Sequence, residues 1–163
     1  MPANATLALS AVSAALATLY SLPVYTAKRP VGAGKPPIGG WNPGWNATNG
    51  CFVVSAQEPE GVDDDGTFEE VSVRYAVTVE YVKPSHAKTA GGEDPALNED
   101  SDVRDKRAGV RSLLYSPRVS GIADVANVSW RARPTYETAG TGGAPVVVSG
   151  QTAVYEVMEA RPA

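Results

Sequence analysis

Asp63-Asp64-Asp65-Gly66 is the densest group of potential ligands in the chain, and its carboxylates suggest a calcium loop. Such a loop needs oxygens at alternate positions one, three and five and a distal bidentate Glu, and this run has neither. It reads as a solvated acidic turn. Gly32-Ala33-Gly34-Lys35 has the ending of a phosphate-binding loop, but Arg29 stands at the first required Gly and Pro36 replaces the magnesium-holding Ser or Thr. His86 lies in a polar stretch with no acid beside it to orient an imidazole base, so it reads as a solvent-facing His. Cys51 opens an apolar run and reads as a small buried hydrophobe. One Cys and one His exclude a disulfide framework, a Cys-based zinc site and a multi-histidine centre. Glu69 and Glu70 are adjacent on a strand and point to opposite faces, so they cannot act on one substrate. No G-x-S-x-G nucleophile elbow occurs. These residues assemble no catalytic site, and neither enzymatic activity nor a cofactor is expected.

Charge, by contrast, is strongly segregated. Residues 1–57 carry Lys28, Arg29 and Lys35 and no acid. Residues 58–70 carry Glu58, Glu60, Asp63, Asp64, Asp65, Glu69 and Glu70 and no base. Residues 104–118 carry Arg104, Lys106, Arg107, Arg111 and Arg118 against Asp105. An acidic tip and a basic helix on one chain permit head-to-tail complementarity between identical subunits. An acidic surface also repels a duplex and lets it slide past. The formal net charge of -4 argues against a dedicated nucleic-acid binder.

The elements that would position these residues follow from periodicity. Leu9, Val12, Leu16 and Leu19 mark one face of a helix over Ala5–Tyr20, with Asn4 as N-cap and Pro23 as stop. Its other face holds Ser, Thr and Ala and no charge, which hints at a neighbouring subunit. Residues 28–49 read as a long Gly- and Pro-rich loop, within which Trp41 and Trp45 must fold back on the core or dock on a partner. A short strand, Cys51–Ser55, precedes the clearest signal in the chain. From Phe68 to Val82, Val71, Val73, Tyr75, Val77, Val79 and Tyr81 alternate with Ser, Arg, Ala, Thr and Glu, the pattern of a long antiparallel strand. It should form a projecting hairpin with the preceding run. After a polar loop at 83–100 comes a helix over Ser101–Ser116, with Val103, Val110, Leu113 and Leu114 on one face and Pro117 ending it. Strands Ala126–Tyr136 and Val146–Glu159 close the chain. Val71, Val73, Tyr75, Val77, Val79, Val128 and Trp130 are expected to face inward.

The composition agrees with this outline. The 163 residues suit one domain, 1–163, and 43% hydrophobic with 20% charged residues is globular. The 16 Gly and 13 Pro belong in long loops, and a Val-rich core favours sheet. The fold class expected is α+β: a mostly antiparallel four-stranded sheet with two flanking helices, in the order α-β-β-α-β-β. No run of about 18 apolar residues occurs, so no membrane helix is expected. Met1 to Ala27 contains no Lys or Arg, so the cationic region of a secretory signal is missing. The sequons at Asn4, Asn46 and Asn127 are read as accidental.

This order of helix, short F-V-V strand, long alternating strand, charged helix, Val128–Arg133 strand and closing Thr152–Val157 strand resembles the tail terminator (tail completion) proteins of long-tailed bacteriophages. The resemblance implies a non-enzymatic virion protein, assembled in the host cytoplasm, that forms a ring of identical subunits, usually a hexamer. The ring would cap the tail tube and join it to the head–tail connector proteins, with DNA passing through its lumen without specific binding. Asp63, Asp64, Asp65, Arg104, Lys106, Arg107, Arg111, Trp41 and Trp45 are then candidates for subunit contacts or the lumen. The 28–49 and 83–100 loops are larger than the family pattern. The alternatives are a head-completion or tail-tube subunit or, from another class, a secreted binding module.

Overall fold

The computed structural model describes residues 3–28, 50–56, 62–63, 70–84, 101–133, 135–139 and 145–160. Helix α1 spans Ala3–Tyr20, followed by strands β1 (Val24–Lys28), β2 (Cys51–Ala56), β3 (Val62–Asp63) and β4 (Glu70–Pro84). Helix α2 spans Ser101–Leu114 and leads through a 3-10 turn at Pro117–Ser120 to β5 (Val125–Ala132), β6 (Tyr136–Ala139) and β7 (Pro145–Ala160). The α+β class holds, but the sheet is mixed and larger than expected. Its strands run β1-β2-β4-β7-β5, with β3 added beside β4 and β6 beside β7.

Three departures have physical causes. First, β4 does not project as one arm of a hairpin with β2. It pairs with β7 along its whole length, from Glu70 opposite Ala160 to Pro84 opposite Val146, while β2 covers only Val77–Val82. Its 15 residues run about 50 Å at ~3.4 Å per residue, in the middle of the sheet. Second, Val24–Lys28 is a strand, so Lys28 is not loop, and Lys83 and Pro84 belong to β4. β1 pairs in parallel with β2, Val24 opposite Phe52. Parallel neighbours need a long connection, which the residues between Lys28 and Cys51 supply. Third, the expected Ala126–Tyr136 strand is two strands. Pro134, which cannot donate to a ladder, lies between β5 and β6.

Both helices pack on one face of the sheet. α1 buries Val12 and Leu16 of the expected row together with Ala5 and Ala8, leaving Leu9 half-buried and Leu19 55% exposed. The alanines let its backbone approach the strands closely. Asn4 is inside the helix, not its cap, and its amide donates to Glu159 Oε1 at 2.8 Å. The Tyr75 hydroxyl donates to the same carboxylate oxygen, so the start of α1 is tied to the end of β7 and, through it, to the first half of β4. Gly121, at φ +70°, passes α1 where an added Cβ would lie 3.2 Å from Ala11 Cβ. α2 buries Val103, Val110 and Leu114, with Leu113 partly covered. Phe52 links the end of α1 to β4, its ring 5.1 Å from Tyr20 and 5.3 Å from Tyr81.

Val71, Val73, Tyr75, Val77 and Val79 face this core as expected. Val128 and Trp130 share their side but are only half-buried, because β5 is an edge strand. The other row of β4 is not the solvated face that alternation suggests: Ala76, Thr78 and Glu80 are buried as well. A second, smaller cluster of Cys51, Val53, Val82, Val146 and Val148 forms on that side and contains no helix residue. Among the described residues, no helix is long and apolar enough to cross a membrane.

Candidate interaction surface

The basic row of α2 divides between internal ties and outward charge. Lys106 is folded inward, its ammonium 3.0 Å from Asp102 Oδ1 and 5.4 and 5.2 Å from the Tyr20 and Tyr81 ring centres. Lys83 reaches Asp102 Oδ2 at 3.3 Å, and the Tyr81 hydroxyl donates to the same oxygen at 2.7 Å. Burial works against the Asp102 carboxylate, but these three donors outweigh it and hold its pKa down at about 2. Arg107 is also committed within the chain. Its Nη1 donates to Ser149 Oγ at 2.7 Å and lies 3.4 Å from the carbonyl oxygens of Arg133 and Gly150.

Arg104 and Arg111 are the exposed pair. They lie seven residues apart, two helical turns, and so share one flank of α2 with Tyr115. The Arg111 guanidinium stacks 4.4 Å over the Trp130 ring of β5 and 5.5 Å from the Tyr115 ring. Trp130 is itself fixed from below, its indole donating to Gln151 Oε1 at 2.8 Å, while Gln151 Nε2 donates to the Arg107 carbonyl at 2.8 Å. Arg, Trp and Tyr held rigidly at a surface are the residue types that dominate protein–protein contacts.

On the other flank, α1 and α2 leave a groove of about 650 Å³ lined by Leu19, Tyr20, Gly109, Ser112, Leu113, Ser116 and Val119. At its floor Gly109 makes room for the Tyr20 hydroxyl, which would lie 1.9 Å from a Cβ there. α1 carries no charged residue in its 18, and both Leu7 (49%) and Leu19 are exposed. The outward side of the helix layer thus joins an apolar groove to a stacked cationic flank.

Of the other sequence candidates, Asp63 lies in β3 opposite Ser72, at the sheet end where β4 begins and β7 finishes. Asp64, Asp65, Trp41, Trp45, His86 and the Gly32–Lys35 fragment lie outside the described residues. Cys51 is buried, and burial pushes its thiol up to about 12, so it is no nucleophile in the folded chain. Among the described residues, no three His, Cys, Asp or Glu side chains gather to hold a metal ion.

One group escaped the sequence reading. Glu80 in the middle of β4 is fully buried, and neither of its carboxylate oxygens has a hydrogen-bond partner. The signal available was its row on β4, where Ala76, Thr78 and Val82 are small or β-branched and suit a covered face. No protein-family model matches the chain, and no curated protein matches it.

Proposed function

We propose that this chain is a virion structural subunit of the tail-terminator kind, working as a closed ring of identical copies. The ring caps the tail tube and meets the head–tail connector proteins, and DNA passes through its lumen without specific binding. The observation that carries this reading is the outward side of the helix layer. A charge-free helix with Leu7 and Leu19 exposed, beside an apolar groove and the rigid Arg111–Trp130 stack, is suited to contact with another protein surface. The element order supports it too: a leading helix, a long strand, a charged helix and closing strands in one α+β layer. The acidic residues 58–70 supply the complementary charge, either to a neighbour's Arg104 and Arg111 or to a lumen that must not retain a duplex.

Electron microscopy of the purified full chain, with its mass measured by size-exclusion chromatography and light scattering, tests the reading. Closed rings of one size are expected. An open-ended polymer would assign a tube subunit instead, and a monomer at every concentration would remove the ring from the proposal.

A further inference from the structure

The helix-free face of the sheet holds the strongest unexplained group in the molecule. Glu80 sits at the centre of the sheet, between Val53 of β2 and Gly150 of β7, with 0% of its surface exposed. Its side chain occupies the space above Gly150: a Cβ on that glycine would lie 3.1 Å from Glu80 Cγ and 3.5 Å from Arg133 Cβ. Buried carboxylates in folded proteins are paired or multiply hydrogen-bonded, because an isolated ionised one is very costly to desolvate. Glu80 has no such bonds.

The surroundings offer it little. Thr78 and Thr152, on the same face, are hydrogen-bonded to each other at 2.8 Å, and Arg133 Nε donates to Thr152 Oγ1 at 3.2 Å. On β2, Val53 and Cys51 are uncharged neighbours, and β1 adds Tyr25 beyond them. On β7, Val148, Gly150 and Thr152 cannot titrate. The described groups that bear on its charge are Arg133, which favours ionisation, and Tyr136 of β6. Among the described residues, Arg131 opposite Thr152, and the facing Arg74 and Glu156 further along β4 and β7, are the other charged side chains of this face. Burial outweighs the Arg133 attraction and raises the Glu80 carboxyl to about 7, and burial together with the Glu80 charge raises Tyr136 to about 12.

We propose that Glu80 is a proton-operated latch: as a neutral acid it lets the β2–β4–β7 centre close, and as a carboxylate it drives the helix-free face to open. No chemistry beyond binding and release of one proton at the Glu80 carboxyl is involved. The inference concerns the single protomer and stands or falls independently of the ring.

Cys51 is a built-in reporter, since it is the chain's one cysteine, is buried, and lies diagonally beside Glu80 on the same face. Its labelling by a disulfide dye, normalised to the unfolded chain at each pH, measures opening directly. In the native protein this normalised rate should rise about tenfold from pH 6 and level off by pH 8.5, because at pH 6 the closed form still holds a proton that the open form, with an ordinary carboxyl, has already released. Glu80→Gln should abolish the rise. An equal rise in Glu80→Gln, or a flat profile in the native protein, overturns the latch. Difference infrared spectroscopy of the unmutated protein gives a second reading that needs no variant. The carbonyl stretch of a buried carboxylic acid should disappear over the same pH range, and its absence at pH 6 would equally refute the proposal.

Discussion

The Tyr81 hydroxyl donates to Asp102 Oδ2 at 2.7 Å, so the far end of the long central strand grips the first turn of α2. Lys83 and Lys106 close on the same carboxylate, and Lys106 lies over the Tyr81 ring. A carboxylate in the first turn also suits the helix dipole. This cluster fixes which way the basic residues of α2 point.

Asp102→Asn should therefore cost stability in a pH-dependent way. The carboxyl is depressed from 3.8 to about 2, so its contribution is complete above pH ~4 and is lost as pH falls through ~2. Because the side chain is 40% exposed, screening reduces the effect to about 1 kcal/mol at neutral pH. Urea unfolding at pH 7 should separate variant from parent, and the curves should converge near pH 2.

Tyr155→Phe tests the other anchor of α2. The buried hydroxyl donates at 2.9 Å to the carbonyl of Leu114, at the end of the helix. Its removal leaves that carbonyl unpaired in the core and should lower stability by about 1–2 kcal/mol, read from the urea midpoint.

Gly121→Ala should destabilise by about 1–2 kcal/mol, since it adds a left-handed backbone penalty to a 3.2 Å approach to α1. Thermal unfolding should show Gly121→Asn, which tolerates the same φ better but still presses on Ala11, with a smaller backbone share of the loss.

Leu19→Asp and Arg111→Glu probe the two flanks of the helix layer. Both residues are exposed, so far-UV circular dichroism should be unchanged. In the ring reading each variant should weaken assembly at least tenfold, measured by light scattering across a dilution series. Unaltered rings in both would move the subunit contact away from this surface.

Replacing Asp63, Asp64 and Asp65 together with Asn separates the uses of the acidic run. Lys106 and Arg107 are already engaged within the chain, which leaves Arg104 and Arg111 of the four helix candidates to receive a neighbour's acids. The expected outcome is intact rings that retain DNA more strongly at low salt, where screening is weak. Weakened assembly would instead place the run against those two arginines.

Much of the fold is legible from residue order. The alternation of Val71 to Tyr81 locates β4 within two residues at either end, because one row of β-branched and aromatic side chains must face a core. Val24–Lys28 was hidden by its brevity and by the Gly and Pro that follow. The pairing of β4 with β7 was hidden because partner choice between distant strands leaves no local trace. The basic row of α2 was visible as charge. That Lys106 would lie on tyrosine rings and Arg107 on Ser149 was not, because long cationic stems turn inward wherever aromatic or carbonyl partners happen to stand. Strict alternation assigns Glu80 to the row away from the core, because it assumes one wet face, whereas this sheet buries both at its centre.

The union of β4 with β7 has a consequence for synthesis. About sixty residues separate Pro84 from Pro145, so at ~5–20 residues per second β4 is made roughly 3–12 s before synthesis of its partner strand begins. During that interval a long Val-rich strand is open to pairing with the same strand of another nascent chain. Glu80 and Arg74, in water and fully charged, then act as gatekeepers on it. Light scattering during refolding should accordingly rise in Glu80→Val, even though that change removes a buried carboxylate from the finished sheet. The residue that strains the native core is the one that keeps the waiting strand apart from its copies.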